Sequence, residues 1–229
     1  MASHCSPILK NLIIICAGFG IFVDSKQYGV VGWHGRNSVK TDVSLVSWAV
    51  EQAESLLAPL GDRWLHVQGV VETARWVGEV LDGEDRSYLI AAAYMHDIGY
   101  APSLVKTGFH PLDGARYIRS LGYERLACLV AHHSEARFEA RLRGLSDALD
   151  EFPRERSATS DALAYCDLTT GPMGEHVSLK ERACDVYSRY GETAIVARAF
   201  RQAMPYFSLA IARTKLRLRQ RGLPEQITQ

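Results

Sequence analysis

No run of apolar residues in this chain is long enough to cross a bilayer. The longest, Leu12 to Val23, has twelve residues, where a spanning helix needs about twenty. Excess charge is also missing. Lys and Arg total 26, Asp and Glu total 26, and the formal net charge is zero. That balance removes any global electrostatic argument for nucleic acid or an anionic membrane as a partner. Cys-x-x-Cys pairs are absent. Cys5, Cys16, Cys128, Cys166 and Cys184 are scattered and odd in number. They read as thiols of a reducing cytosol, not as a disulfide framework or a zinc ribbon. Internal repeats are lacking, and beyond the N-terminus so is strand-type alternation.

What is present is an ordinary globular composition. At 229 residues, 47% apolar and 23% charged, the chain fits one domain with extensions and can bury a sizeable core. The N-terminal apolar run follows Lys10, with no small-x-small cleavage site before Asp24 and Lys26. It is compatible with a buried strand or helix, a weak anchor, or a poorly ordered extension. The reading adopted is an extension outside the folded domain, with an edge strand. Gly29, Gly32, Gly35, Asn37 and Ser38 then mark a linker. Residues 1–40 are taken as extension and linker, and residues 41–220 as the folded domain.

From there the periodicity is helical. Thr41 or Asp42 can cap a helix through about Leu57, which Pro59 and Gly61 end. Asp62 can cap the next, Arg63 to Leu81, with His66, Val70, Ala74, Val77 and Leu81 on one buried stripe. Glu84 or Asp85 starts a third, in which Leu89, Ala92, Ala93 and His96 share a face. Gly99 to Gly108 reads as a loop. His110-Pro111 opens a fourth helix, with proline favourably placed in the first turn. Leu126, Leu129, Val130 and His133 form another stripe, with His132 beside it. Glu135 to Arg156 reads as charged and irregular. Ser157, Thr159 or Ser160 can cap a helix holding Leu163, Cys166 and Asp167. Two more helices are expected, about 176–190 and 192–220, with Pro205 kinking or splitting the last. The fold class is all-α.

One stretch organises the rest: Ala91-Ala92-Ala93-Tyr94-Met95-His96-Asp97-Ile98-Gly99-Tyr100. Small and apolar residues lead straight into adjacent His and Asp. A buried His beside a buried Asp is costly unless both are paired or bound to metal, and imidazole and carboxylate are both good ligands. His66 and Asp167 also fall at the inward end of helical stripes. His110 and the pair His132-His133 add further donors.

The ordered set His66, His96-Asp97 and Asp167 resembles the H…HD…D signature of the HD-domain superfamily of metal-dependent phosphohydrolases. The flanks agree: Arg63-Trp64-Leu65-His66, His96-Asp97-Ile98-Gly99, and Ala164-Tyr165-Cys166-Asp167. The resemblance covers about residues 42–190, with its core over 62–170. It implies an all-helical bundle in which those four residues hold one divalent metal. His110 and His132-His133-Ser134-Glu135 resemble the further histidines of subfamilies that hold two ions. There, Asp97 would bridge, His66, His96 and Asp167 would hold the first ion, and His110 with His132 or His133 the second. The metal ligands expected are His66, His96, Asp97, Asp167, His110 and His132.

The chemistry implied is hydrolysis of a small phosphate ester, with a nucleotide favoured, by metal-activated water. Asp97 would orient the water, and His132 or His133 would protonate the leaving oxygen. His and carboxylate ligands suit Mn, Fe, Co, Ni or Zn, as one or two ions. Arg63, one helical turn before His66, and Lys106, in the loop after the His-Asp pair, are the substrate-binding candidates; Arg116 and Arg137 are further cations. Ser134 to Phe152 holds no Gly-Tyr-Pro, against a cyclic-dinucleotide phosphodiesterase. Ile98-Gly99-Tyr100-Ala101 lacks the acidic pair of alarmone hydrolases. The rival readings are a di-iron oxygenase on the same ligands and a non-catalytic nucleotide-binding sensor. The basic run Arg213, Lys215, Arg217, Arg219 and Arg221 has no interleaved aromatics and reads as a solvated helix end. No nucleic-acid or membrane partner is expected, a homo-oligomer is compatible, and the location expected is cytoplasmic.

Overall fold

The computed structural model describes residues 15–16, 19–20 and 42–225. The chain divides into Met1–Val39 and Lys40–Gln229. In the first, β1 (Ile15–Cys16) and β2 (Phe19–Gly20) pair antiparallel, Ile15 opposite Gly20. The rest of the expected extension, and the linker before Asp42, lie outside the described residues.

The second unit is all-α. Its helices are α1 (Asp42–Leu57), α2 (Asp62–Val77), α3 (Gly83–Met95), α4 (His110–Ser120), α5 (Glu124–His132), α6 (Arg137–Arg143), α7 (Ser146–Asp150), α8 (Ala158–Leu168), α9 (Leu179–Tyr190) and α10 (Ile195–Gln220). The bundle forms around α3. Leu89 to Met95 are buried except for the half-buried Tyr94, and Ala91, Ala92 and Ala93 have no exposed surface. Three alanines in a row let neighbours approach from several sides, and α1, α2, α5 and α8 all pack on α3. On α1, Leu45, Ala49, Ala53 and Leu57 repeat every four residues and are buried. Each fully buried Leu or Met here contributes about 1.5–3 kcal/mol. A second apolar cluster joins Phe138 of α6, Ala164 and Leu168 of α8, and Ala203 and Phe207 of α10.

Several local expectations need correction. Gly61, at φ +57°, is the cap residue of α2, and Asp62 is its first helical residue, still well placed for the helix dipole. That helix ends at Val77 and tightens into a 3-10 turn over Gly78–Val80, a common way to finish a helix. Glu135 to Arg156 is not irregular. It holds α6 and α7, anchored by buried Phe138, Ala140, Leu149 and Phe152. Helices of seven and five residues are too short for the apolar period to emerge from a charged background. Pro205 does not split α10. Pro205 and Arg201, whose carbonyl would have accepted the missing N–H bond, are both exposed, so water can replace that bond. Buried Ala203, Phe207 and Ala210 hold the helix in place. The basic run at its end is solvated as expected, with Arg213 and Arg219 59% exposed. It is also partly ion-paired: Asp161 meets Arg217 at 3.1 Å and Arg213 at 3.5 Å, and Glu225 meets Arg219 at 3.2 Å. Among the described residues no helix is long and apolar enough to cross a membrane.

The start of α8 carries a capping box. Ser157 Oγ accepts the backbone N–H of Ser160, and Ser160 Oγ accepts that of Ser157. Ser157→Ala is expected to cost about 1 kcal/mol, read as a lower urea midpoint with an unchanged slope. No shift in the midpoint would mean that the cap does not set the start of α8.

Candidate metal centre

Five helix ends deliver the donors. His66 lies one turn into α2. His96 and Asp97 follow the last residue of α3. His110 is the first residue of α4, and His133 follows α5. Asp167 is near the end of α8. His66, His96, Asp97, His133 and Asp167 are buried, and His110 is half-buried.

Backbone carbonyls orient three of the rings. His66 Nδ1 lies 3.0 Å from Gly171 O, His96 Nδ1 2.8 Å from Ala93 O, and His133 Nδ1 2.6 Å from Val130 O. A carbonyl oxygen only accepts, so each Nδ1 carries the proton and donates it. In the neutral ring each Nε2 then presents a bare lone pair. These lone pairs converge. His66 Nε2 is 3.4 Å from His96 Nε2 and 3.2 Å from Asp167 Oδ1. His133 Nε2 is 3.2 Å from His110 Nε2, which is 3.3 Å from Asp97 Oδ1. In the first of these sets, His66 Nε2, His96 Nε2 and Asp167 Oδ1 are acceptors facing acceptors in a dry interior, which repel unless a cation lies among them. The donors fall into two groups, His66–His96–Asp167 and Asp97–His110–His133, each within 4.8 Å. Both groups are able to chelate a divalent ion, and imidazoles held by an outer carbonyl are the usual form of such ligands. Asp97 stands between the groups. Its Oδ2 is 3.5 Å from His96 Nε2 while Oδ1 faces His110.

The neighbouring chain fixes this arrangement by close approach. A Cβ on Gly99 would lie 2.1 Å from His110 O, so the 3-10 turn Ile98–Tyr100 sits directly on the start of α4. Likewise, a Cβ on Gly69 would lie 2.3 Å from Gly174 O, which lets the 171–176 loop reach His66. The buried carboxylate of Asp113 accepts the N–H groups of Lys106, Thr107 and Gly108, holding the loop that leads into His110. After His133 the backbone turns sharply. Ser134 and Glu135 both adopt positive φ, +45° and +54°, a region uncommon outside glycine. The turn carries the Ser134 hydroxyl to Asp167, where it donates to Oδ2.

Burial by itself would raise the Asp97 carboxyl. Arg63, His96 and His110 together hold it well below the usual carboxylate range. Asp167 is likewise held low against burial by His66, His96 and Arg182. Burial pushes His96, His110 and His133 down; Asp97 and Asp167 only partly offset it for His96 and His133, and Asp97 for His110. The signs fix a pH response for chelator-treated protein. The three histidines fold best neutral, so their stabilisation is complete above the unfolded value of 6.5 and is lost as pH falls through their lower folded values. The two aspartates add a further loss below 3.8 as they protonate in turn. The melting temperature is therefore expected to fall from pH 7.5 to pH 5. A melting temperature that rose over that interval would contradict the neutral tautomers assigned above.

Arg63 pairs with Asp97, and its guanidinium lies 4.1 Å over the Tyr100 ring, which in turn stacks on His110 at 4.1 Å. A cavity of about 130 Å³ opens beside the donors, lined in part by Arg63, Tyr100, Glu139, Arg182, Arg189 and Tyr190. Arg182 Nη2 is 3.6 Å from Asp167 Oδ1. The structure does not bring Lys106 or His132 to this cavity. Lys106 is exposed on the loop, and His132 Nε2 donates to Phe152 O at 2.6 Å. Of the two adjacent histidines it is His133 that joins the donors. The metal set expected from the sequence has His132 in this place, and the packing of α5 puts His133 there instead. Arg182, Arg189, Tyr100 and Ser134 were not singled out, and only Ser134, beside the paired histidines, had a local signal.

Arg63 to Asp167, the segment that contains all six donors, matches the HD domain family. No curated protein and no solved structure matches the chain at a significant level. Between Arg63 and Asp167, therefore, the chain is an HD domain of the metal-dependent phosphohydrolase superfamily.

Proposed function

We propose that this domain hydrolyses a small phosphate ester, with a nucleotide as the favoured substrate, in the cytoplasm. One observation carries the reading: guanidiniums and metal-type donors line one cavity. Arg63, Arg182 and Arg189 share it with Asp97, His110, His133 and Asp167. Imidazole and carboxylate collect a cation, guanidinium collects an anion, and a phosphoryl group calls for both. The cavity, at about 130 Å³, suits the phosphoryl end; the rest of a nucleotide would extend from its mouth.

His66, His96 and Asp167 would hold one ion, and Asp97, His110 and His133 a second, with Mn, Fe, Co, Ni or Zn suiting these donors. When bound, such ions supply a water acidic enough to attack phosphorus near neutral pH. The chain's own groups do the rest. Asp97, ionised at working pH, orients the attacking water. Arg63 spends one N–H group on Asp97 and Arg182 lies near Asp167. A guanidinium has five N–H donors, so both keep donors for phosphoryl oxygens. The Tyr100 ring fixes the plane of Arg63. We assign to Arg182 the phosphate-facing role expected of Lys106, and to His133 the ligand place expected of His132.

The test pairs metal analysis of purified protein with phosphate release from a panel of nucleotides and sugar phosphates in added Mn²⁺. Metal-dependent release is expected. Two irons per chain, oxygen consumption and no phosphate would replace this reading with a di-iron oxygenase. Folded protein that binds a nucleotide tightly without turnover would make it a sensor.

A further inference from the structure

A second and larger cavity, of about 500 Å³, lies against α8 and α10. Its size is that of a small-molecule site. It shares His133, Ser134, Glu135 and Phe207 with the metal-side cavity but contains neither Asp97 nor Asp167. Five arginines line it: Arg137, Arg154, Arg156, Arg213 and Arg217. In a chain of zero net charge this is a strong local concentration.

The carboxylates nearby do not match them. Glu135 accepts from both Arg137, at 2.8 Å, and Arg154. Asp161 serves both Arg213 and Arg217. Glu155 is engaged from outside by Arg125, at 2.9 Å. Arg156 has no carboxylate partner among the described residues. Arg154 is pushed down by burial and by the nearness of Arg137 and Arg156, with Glu135 only partly compensating. Like charges held this close to one another stabilise a bound anion. The first turn of α8 adds to this, because Ser157, Ala158 and Ser160 line the same space, and a helix N-terminus favours negative charge. His132 lines it too. Its Nε2 is committed to Phe152 O, and its Nδ1 is buried without a partner among the described residues, so the ring contributes a wall and no contact to a ligand.

We propose that this arginine-lined cavity is a binding site for a polyphosphate-bearing small molecule, separate from the metal centre. A single phosphate would engage only one or two of the guanidiniums; a chain of phosphates carries enough charge to answer both groups, the one built around Glu135 and the one built around Asp161. Arg137 and Arg154 are partly held by Glu135, and Arg213 and Arg217 by Asp161, so Arg156 makes the first contact and the four paired arginines add to it. The site does not depend on the hydrolase reading, since none of its arginines touches a metal-type donor.

Calorimetry with inorganic tripolyphosphate, on the full chain, tests it. Chelator-treated protein with Asp97 intact serves as the parent, so that bound ions do not contribute and Arg63 stays paired. Arg156→Gln and Arg213→Gln are then added together. Both arginines are exposed, so the fold is expected to survive, with circular dichroism as the check. Saturable binding to the parent is expected, weakened at least tenfold by the added pair and by raising salt. No saturable binding to the parent, or a loss of less than fivefold on adding the pair, would overturn the proposal.

Discussion

Replacing Asp97 with alanine is expected to lower phosphate release by about 10²–10³-fold or more, the range seen when one preorganised polar group is removed from a reacting centre. The carboxylate has two functions that no neighbour duplicates. It is the donor that faces both groups, with Oδ2 toward His96 and Oδ1 toward His110, and it holds the Arg63 guanidinium. Metal content measured with activity should fall in parallel. Stability should fall as well. Removing one partner of a buried ion pair costs about 3–5 kcal/mol, and less here because the Arg63 side chain keeps 22% of its exposure. Asp97→Asn separates the two effects, since it preserves shape and a hydrogen-bond acceptor while removing the charge. A variant of either kind that retained a tenth of the parent activity would show that Asp97 is not at the reacting centre.

Gly99→Ala should be nearly as damaging for a different reason. The added methyl group would lie 2.1 Å from His110 O and 2.7 Å from Gly114 N. Both are backbone atoms, so no side-chain rotation relieves the clash, and the start of α4 must move. Overpacking of this kind costs about 1–3 kcal/mol and occasionally more. At about 2–4 °C per kcal/mol for a chain of this size, the melting temperature should drop by several degrees. His110 moves with α4, away from Asp97 and His133, so metal stoichiometry should fall from the second group first. Gly83→Ala is the matched control. It opens α3, has an ordinary φ and meets nothing within 4 Å, so it should be neutral or stabilising by a few tenths of a kcal/mol. Equal melting temperatures for the two variants would mean that the 3-10 turn and α4 are not held in contact as described.

The large helices were legible because their signals are local. The stripe on α2 and the alanine run in α3 reflect a period that any 12-residue window samples. Ser157 caps α8 through contacts three residues away. The ordered His66, His96-Asp97, Asp167 pattern was legible for the same reason: each residue sits at a recognisable place on its own helix. The short helices α6 and α7 were not legible. They carry only one or two buried positions each, and the tertiary packing of Phe138 and Leu149 decides them.

By itself the sequence determined an all-helical domain and the kind of donors that its helix ends would carry, since burial periodicity and residue chemistry are written position by position. Only the tertiary structure decided how those donors meet. It turned His133 inward and left His132 on the carbonyl of Phe152. It brought Arg182 to Asp167 and Ser134 across a strained turn to the same carboxylate. It also gathered five arginines, spread over 81 positions from Arg137 to Arg217, around one cavity. His66 and Asp167 touch across 101 residues of chain. Contacts of that separation depend on where whole helices cross, and a helical period carries no information about crossing.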